Sequence, residues 1–205
     1  MTNDIQQWAQ ALLEFPNLVF AVVDTTSVKK DADIIRLLTL DKHGFTINSM
    51  RVYSVRHPDS PNTEWTGITQ EEMRQARTLQ ESWTDIREAL RGQFVLAYGF
   101  DFLQERLYEN AQFYGLKPVH MIGDCLMQTA VPYFRPAGFT GYNLKLQSAC
   151  ARIGYILPDR PLAKQRAEGQ LALLKAMAEG RATPPTSAQS NDDGDELGDL
   201  DSAIF

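Results

Sequence analysis

One short segment near the N-terminus constrains the fold more than any other. Residues 18–24 form an uninterrupted apolar run, Leu-Val-Phe-Ala-Val-Val, that ends in an aspartate. A continuous apolar strand without polar alternation is typical of a central strand covered on both of its faces. The segment therefore predicts an α/β fold in which Asp24 stands at the end of a buried strand.

The other predicted elements follow this strand in a regular order. Strands are predicted over 33–41, 45–57, 93–98 and 118–122. Helices are predicted over 4–15, 79–91, 102–114, 143–153 and 162–179, and a short helix begins at the capping box of Thr69 and Glu72. Asp124 is expected to cap a further helix. The order β-β-β-α-β-α-β-α predicts a mixed five-stranded sheet flanked by helices, with three antiparallel strands first and parallel crossover strands after them.

The charge of the chain is placed unevenly. The formal net charge is −6, and residues 184–205 hold six acids and no lysine or arginine. The rest of the chain is neutral, which neither supports nor excludes a basic nucleic-acid groove. The last segment is poor in apolar residues, so it cannot bury enough surface to fold. We therefore expect a folded domain over 1–180 and a disordered acidic tail over 181–205.

The remaining composition points to a cytoplasmic protein without a membrane partner. No apolar run approaches membrane-spanning length and no signal region is evident. Cys125 and Cys150 have no metal-ligand spacing, so reduced core cysteines are expected. His43, His57 and His120 have no carboxylate at metal-ligand spacing, so structural roles are expected for them.

Four local motifs, in order, resemble those of the DnaQ-like (DEDD) 3′–5′ exonucleases, which have a ribonuclease-H-like fold. They are 20–26 (Phe-Ala-Val-Val-Asp-Thr-Thr), 66–69 (Thr-Gly-Ile-Thr), 123–126 (Gly-Asp-Cys-Leu) and the helix over 144–154. Segment 94–97 resembles the strand that leads to the family's second catalytic motif. The resemblance covers about 18–177 and implies the ribonuclease-H-like fold.

The resemblance also implies a set of metal ligands, most of which this chain replaces. The family clamps two Mg²⁺ or Mn²⁺ ions with four carboxylates, since these hard cations prefer oxygen ligands. Asp24 matches the first carboxylate. The second falls at Thr26 and the third at Leu103, although Asp101 serves if the turn before the helix is shorter. The general-base histidine of one subgroup falls at Pro161.

The last of these replacements reverses the charge of the site. The family's final carboxylate falls at Arg166 in the segment Pro-Leu-Ala-Lys-Gln-Arg-Ala, which keeps both alanines of the motif. A guanidinium repels a metal ion, but it can neutralise Asp24 or hold a phosphate. Arg166 is therefore expected to face Asp24. Asp24 also has a purely structural interpretation, as a strand-end aspartate that caps a loop.

The C-terminus resembles the tail of bacterial single-stranded-DNA-binding protein (SSB). That tail has several aspartates followed by Ile-Pro-Phe, and here Asp199 and Asp201 precede an adjacent Ile204 and Phe205. A terminal phenylalanine fills an apolar pocket while the acids meet a basic rim. The alternative is a generic solubilising tail.

These features predict a catalytically degenerate exonuclease-like protein that acts by binding. Its expected partners are proteins of bacterial DNA replication, repair or recombination that accept the SSB tail, together with single-stranded nucleic acid. No catalytic residue, metal or other cofactor is expected. The first alternative is an active exonuclease that uses Mg²⁺ or Mn²⁺ with displaced ligands drawn from Asp24, Asp101, Asp124 and Asp159. The second is a structural subunit of a larger complex.

Overall fold

The computed structural model describes residues 2–182, with the side chain of Thr2 left out. Its elements run in the order α1 (Thr2–Glu14), β1 (Leu18–Thr25), β2 (Ile34–Asp41), β3 (Thr46–Arg51), α2 (Thr63–Thr66), α3 (Gln70–Arg74), α4 (Leu79–Leu90), β4 (Phe94–Ala97), α5 (Phe100–Phe113), β5 (Ile122–Cys125), α6 (Leu126–Phe134), α7 (Leu146–Ala151) and α8 (Ala163–Ala178). A 3₁₀ turn over Arg135–Ala137 follows α6. Apart from Arg181 and Ala182, the predicted tail lies outside the described residues.

The five strands form one mixed sheet in the order β3-β2-β1-β4-β5. The pairs β1–β2 and β2–β3 are antiparallel, whereas β1–β4 and β4–β5 are parallel. This arrangement confirms the predicted fold class. It also places the carboxyl ends of β1, β4 and β5 at one edge of the sheet.

The central strand β1 is buried over its whole length, as its apolar run predicts. Leu18, Phe20 and Val22 pack into a core with α1, α6, α7 and α8 on one face of the sheet. Val19, Ala21 and Val23 pack into a second core with α4 and α5 on the other face. The sheet is therefore the middle layer of three, and Asp24 points to the same face as Phe20 and Val22.

Two predicted strands are displaced. The third strand ends at Arg51 rather than at 57, because the chain then turns inward and buries Val52 and Ser54. The last strand is Ile122–Cys125 rather than 118–122. Gly123 allows this, since a Cβ at that position would lie 2.0 Å from the Val95 carbonyl oxygen.

Of the two helix caps predicted from the sequence, one is present and the other is not. Thr69 and Glu72 form the predicted capping box at the start of α3. Asp124 does not cap α6, because it lies within β5 and the N-cap of the helix is Cys125. The carboxylate of Asp124 instead accepts a hydrogen bond from the backbone N–H of Cys125, at 2.8 Å.

Candidate functional site

The candidate site is built around Asp24 at the carboxyl end of β1. Its side chain is fully buried. Arg36 lies opposite it in the register of β1 and β2. The Nη1 atom of Arg36 lies 3.0 Å from Oδ2 of Asp24, outside hydrogen-bonding geometry, so this interaction is mainly electrostatic. The same Nη1 atom donates a hydrogen bond to the Thr66 carbonyl oxygen at 3.0 Å.

Arg166 contacts the other carboxylate oxygen of Asp24. It lies on α8, which packs against β1 and β2. Ala163 and Ala167 on this helix are fully buried, and their small side chains let the helix backbone approach the sheet. Nη2 of Arg166 donates a hydrogen bond to Oδ1 of Asp24. Arg166 therefore faces Asp24, as the sequence predicts.

The site carries more positive than negative charge. One buried carboxylate faces two guanidinium groups, and the nearby Arg51 is itself paired with Glu72. Burial lowers the pKa of Arg36 from its usual value, Asp24 opposes this shift, and Arg51 and Arg166 add to it. Two arginines thus supply the positive charge that a metal ion would supply to a lone carboxylate.

A two-metal centre of the exonuclease type does not fit these residues. Such a centre needs several oxygen ligands around each ion. In the part of the chain from 2 to 182, no group of three or more His, Cys, Asp or Glu side chains could hold a metal ion. Both oxygens of Asp24 already face arginine side chains.

The other positions expected to replace ligands have structural contacts. The hydroxyl of Thr26 accepts a hydrogen bond from the backbone N–H of Asp33 at 3.1 Å, which ties the end of β1 to the start of β2. Leu103 is buried in the core beneath α5, and Pro161 is buried just before α8. None of these side chains offers a charged oxygen to Asp24.

The displaced-ligand candidates are not gathered around Asp24. Asp101 is exposed in the first turn of α5, and its Oδ2 accepts a hydrogen bond from Gln128 at 3.1 Å. Asp124 is engaged with the backbone of its own strand end. Asp159 lies in the loop before α8, where its main-chain oxygen is 3.4 Å from Gln147 Nε2.

A small cavity of about 30 Å³ adjoins Arg166. Its lining includes Tyr98, Leu103 and Gln170. The hydroxyl of Tyr98 donates a hydrogen bond to the Leu144 carbonyl at 2.5 Å and closes one wall. This volume holds about one water molecule.

The loop before α8 packs against residues 64–67. Arg160 pairs with Glu64 at 2.9 Å, and its guanidinium lies 5.1 Å from the centre of the Trp65 ring. Gly67 has a positive φ of 67°, and a Cβ there would lie 2.7 Å from Leu162. The Gly-Ile-Thr turn and this loop therefore pack directly on each other.

Asp33 is a second buried aspartate, close to Asp24 along the chain. The sequence does not indicate a role for it. Oδ2 of Asp33 accepts hydrogen bonds from the hydroxyls of Ser54 (2.6 Å) and Tyr114 (2.8 Å). Arg56 donates to the same carboxylate from its backbone N–H at 3.1 Å and from Nε at 2.5 Å. The guanidinium of Arg56 also lies over the Phe113 ring at 4.2 Å. This network joins β2, α5 and the loop after β3.

The cysteines and histidines form no catalytic group with Asp24. Cys125 and Cys150 are both free and buried, as expected. His57 Nε2 lies 2.9 Å from the main-chain oxygen of Asp31.

None of the described helices is long and apolar enough to cross a membrane.

Comparison with known proteins places this geometry in a structural class. No protein-family model matches the sequence. The 3′-exonuclease solved for its recognition of the histone mRNA stem-loop matches with a TM-score of 0.58 and 15% identity, over 80% of this chain and 83% of that one. The nuclease domain of a DEDDh-family 3′-exonuclease bound to rAMP matches with a TM-score of 0.57 and 16% identity, over 80% and 92% of the two chains. The fold is therefore the ribonuclease-H-like fold of these exonucleases.

One sequence relative supports the same resemblance. The uncharacterized exonuclease CP81 of Escherichia phage 186 is 29% identical over 194 residues, which cover 87% of this chain and 96% of that protein. Together, the order of the strands and this relative confirm the resemblance to the DnaQ-like exonucleases.

Proposed function

We propose that this protein is an exonuclease-like binding factor that does not hydrolyse nucleic acid. The observation that carries the proposal is the pairing of Asp24 with Arg36 and Arg166. A carboxylate already neutralised by two fixed cations has little remaining attraction for Mg²⁺, and the second guanidinium repels it. The second and third ligand positions, Thr26 and Leu103, have no charge to add.

A direct assay tests this part of the proposal. The full-length protein is incubated with 3′-labelled and 5′-labelled single-stranded DNA and RNA, in Mg²⁺, in Mn²⁺ and in EDTA. We expect no shortening under any condition. Metal-dependent 3′–5′ shortening that disappears in both Asp24→Asn and Asp101→Ala variants, each shown to be folded by circular dichroism, would refute it.

An active exonuclease is the second candidate, and the similarity to the phage 186 exonuclease favours it. It would need Mg²⁺ or Mn²⁺ and ligands other than those of the DEDD motifs. Asp24 would have to exchange its arginine partners for a metal. The same assay decides between the two candidates, since only the active enzyme loses activity with Asp24→Asn.

We assign the binding role to the C-terminal tail. Asp199 and Asp201 precede an apolar pair at the terminus, Ile204 and Phe205, in a pattern similar to that of the SSB tail. Proteins of DNA replication, repair or recombination that accept the SSB tail are the proposed partners. The phage origin of the sequence relative is compatible with such a role in a bacterial host.

A competition measurement tests the tail. A labelled SSB-tail peptide is bound to purified SSB-tail receptors, and the full-length protein is added as competitor. Replacing Phe205 by alanine should weaken competition by about 2 kcal/mol or more, because a terminal aromatic anchor behaves as a hot spot. Phe45→Ala is the matched control, since Phe45 is also exposed but lies outside the tail. Equal competition by both variants, or none by the wild type, would refute the tail assignment.

A further inference from the structure

One buried polar group, the side-chain amide of Gln170, has no role in the pairing of Asp24 with its arginines. Gln170 lies on α8 and is only 2% exposed. Its Oε1 atom is buried, and no residue between 2 and 182 donates a hydrogen bond to it. A buried amide oxygen without a donor is strongly unfavourable. The atom therefore calls for a hydrogen-bond donor that the protein itself does not supply within this range.

The small cavity beside Arg166 is the place where such a donor can reach the amide. Gln170 and Arg166 both line this cavity, and they lie one helical turn apart on the same face of α8. Much of the remaining lining is apolar and includes Val22, Leu103 and Leu146. These three side chains offer no hydrogen bond, so a ligand in the cavity meets its side-chain polar partners on α8.

The charges around the cavity decide which kind of ligand fits. The guanidinium of Arg166 disfavours a cation. The carboxylate of Asp24, which is bonded to that guanidinium, and the Oε1 atom of Gln170 both disfavour an anion. A neutral group that accepts from Arg166 and donates to Gln170 satisfies both side chains. The volume of about 30 Å³ limits that group to the size of a water molecule.

We propose that this cavity is a specific site for one water molecule, which accepts a hydrogen bond from the Arg166 guanidinium and donates one to Oε1 of Gln170. A guanidinium has several N–H donors, so Arg166 can donate to Asp24 through Nη2 and to the water through another N–H. The water then helps to orient Arg166 towards Asp24. This site does not depend on whether the protein hydrolyses nucleic acid.

Gln170→Met in the full-length protein tests the state of the amide, because a hydrated amide and a dry one predict opposite signs. Methionine has a similar volume but no amide. If Oε1 is bonded to water, the substitution leaves that water short of a partner, and the urea midpoint should fall. If Oε1 is dry, the substitution removes an unsatisfied polar atom, and the midpoint should rise. Gln128→Met is the matched control and should change the midpoint little, since Gln128 is an exposed glutamine on α6.

The bridge to Arg166 has a test of its own. In an Arg166→Met background the water has lost its donor, so Gln170→Met should lower the midpoint less than it does in the wild type. The effect of Gln128→Met should be the same in both backgrounds. Equal effects of Gln170→Met in the two backgrounds would overturn the bridge.

A crystal structure of the full-length protein identifies the ligand directly. We expect a single peak of electron density within hydrogen-bonding distance of Gln170 Oε1 and of the Arg166 guanidinium, and none at this position in Gln170→Met. Crystals soaked in sodium bromide test for an anion, because bromide scatters anomalously and water does not. An anomalous peak in the cavity, a wild-type cavity without density, or a midpoint that rises in Gln170→Met would each overturn the proposal.

Discussion

Two aspartates are buried where β1 ends and β2 begins, and they are neutralised in different ways. Asp33 receives hydrogen bonds from two hydroxyls and from one arginine, so a single cation balances it. Asp24 faces two arginines and no hydroxyl donor among the contacts described above. The first arrangement is a balanced structural network. The second leaves a surplus of positive charge at the position that a metal-dependent nuclease keeps negative.

This contrast shows how a buried aspartate at the end of a central strand is compensated in this fold. Removing ligands alone would leave Asp24 as an uncompensated charge in a dry interior, which is strongly unfavourable. Arg166 and Arg36 compensate it from the helix layer and from the neighbouring strand. The hydroxyl of Thr26 accepts a hydrogen bond from the backbone N–H of Asp33 and helps to hold it in place. Thr26 and Arg166 therefore support the sheet through these contacts.

Removing the carboxylate of Asp24 is expected to have the largest effect on stability. Asp24→Ala removes the carboxylate that Arg36 and Arg166 share, so the free energy of unfolding should fall by about 3–5 kcal/mol. Urea denaturation in EDTA measures this change. If Asp24 were instead a free metal ligand, its removal would leave the stability nearly unchanged, and that outcome would contradict the charge balance described here.

Removing the charge of the other aspartate should have a smaller effect. Asp33→Asn keeps the shape of the side chain but sets an amide against the donors of Ser54, Arg56 and Tyr114. Unsatisfied donors in a buried network cost about 1–3 kcal/mol of stability. Urea denaturation of this variant beside Asp24→Ala gives the order of the two effects. A larger loss for Asp33→Asn would mean that the Asp24 site depends little on its carboxylate.

A double-mutant cycle then isolates the pair of Asp24 and Arg166. If the two side chains interact directly, the double variant Asp24→Ala with Arg166→Met should be more stable than the sum of the single changes predicts. The expected coupling is on the order of 1 kcal/mol. Asp24→Ala with Arg160→Met is the control cycle, because Arg160 pairs with Glu64 instead. Additivity in both cycles would argue against the Arg166 contact.

The smallest expected effect is a dependence on alkaline pH. Burial, together with the hydrogen bond and charge of Asp33, raises the pKa of Tyr114 to about 12 from the ordinary value of 10.0. The contribution of neutral Tyr114 is therefore fully present below pH 10 and is lost as the pH rises towards 12.

Urea midpoints measured between pH 9 and pH 11 test this dependence. Tyr114→Phe cannot titrate at this position, so its stability should decline less steeply than that of wild type. Identical slopes would show that the Tyr114 hydroxyl does not lose its proton more easily in the unfolded chain. Other buried tyrosines contribute equally to both proteins and cancel in the comparison.

The sequence predicted the centre of the fold better than its edges. The apolar run of β1 and the two alanines of α8 predicted where Asp24 and Arg166 lie, because central strands and packed helices have strong patterns. The last strand was misplaced by several residues. Gly123 and Asp124 disfavour a strand locally, but the close approach of Val95 requires glycine there.

The sequence gives weaker indications of the contacts made by Arg36 and Asp33. Arg36 is the only basic residue of β2, and only the register of β1 and β2 brings it opposite Asp24. The partners of Asp33 come from three separate parts of the chain, so no local spacing indicates them. The structural roles of Thr26 and Tyr114 follow from the same long-range contacts.

The pairing of Asp24 with Arg36 also bears on how accurately the first hairpin assembles. A slip of one residue would set Ile35 or Leu37 opposite Asp24 and turn Arg36 to the other face of the sheet. The carboxylate would then lie against the apolar side of α8 with only one arginine to meet it. Incorrectly paired chains are thus disfavoured when α8 packs, and the pairing of Asp24 with Arg36 serves as a check on strand alignment.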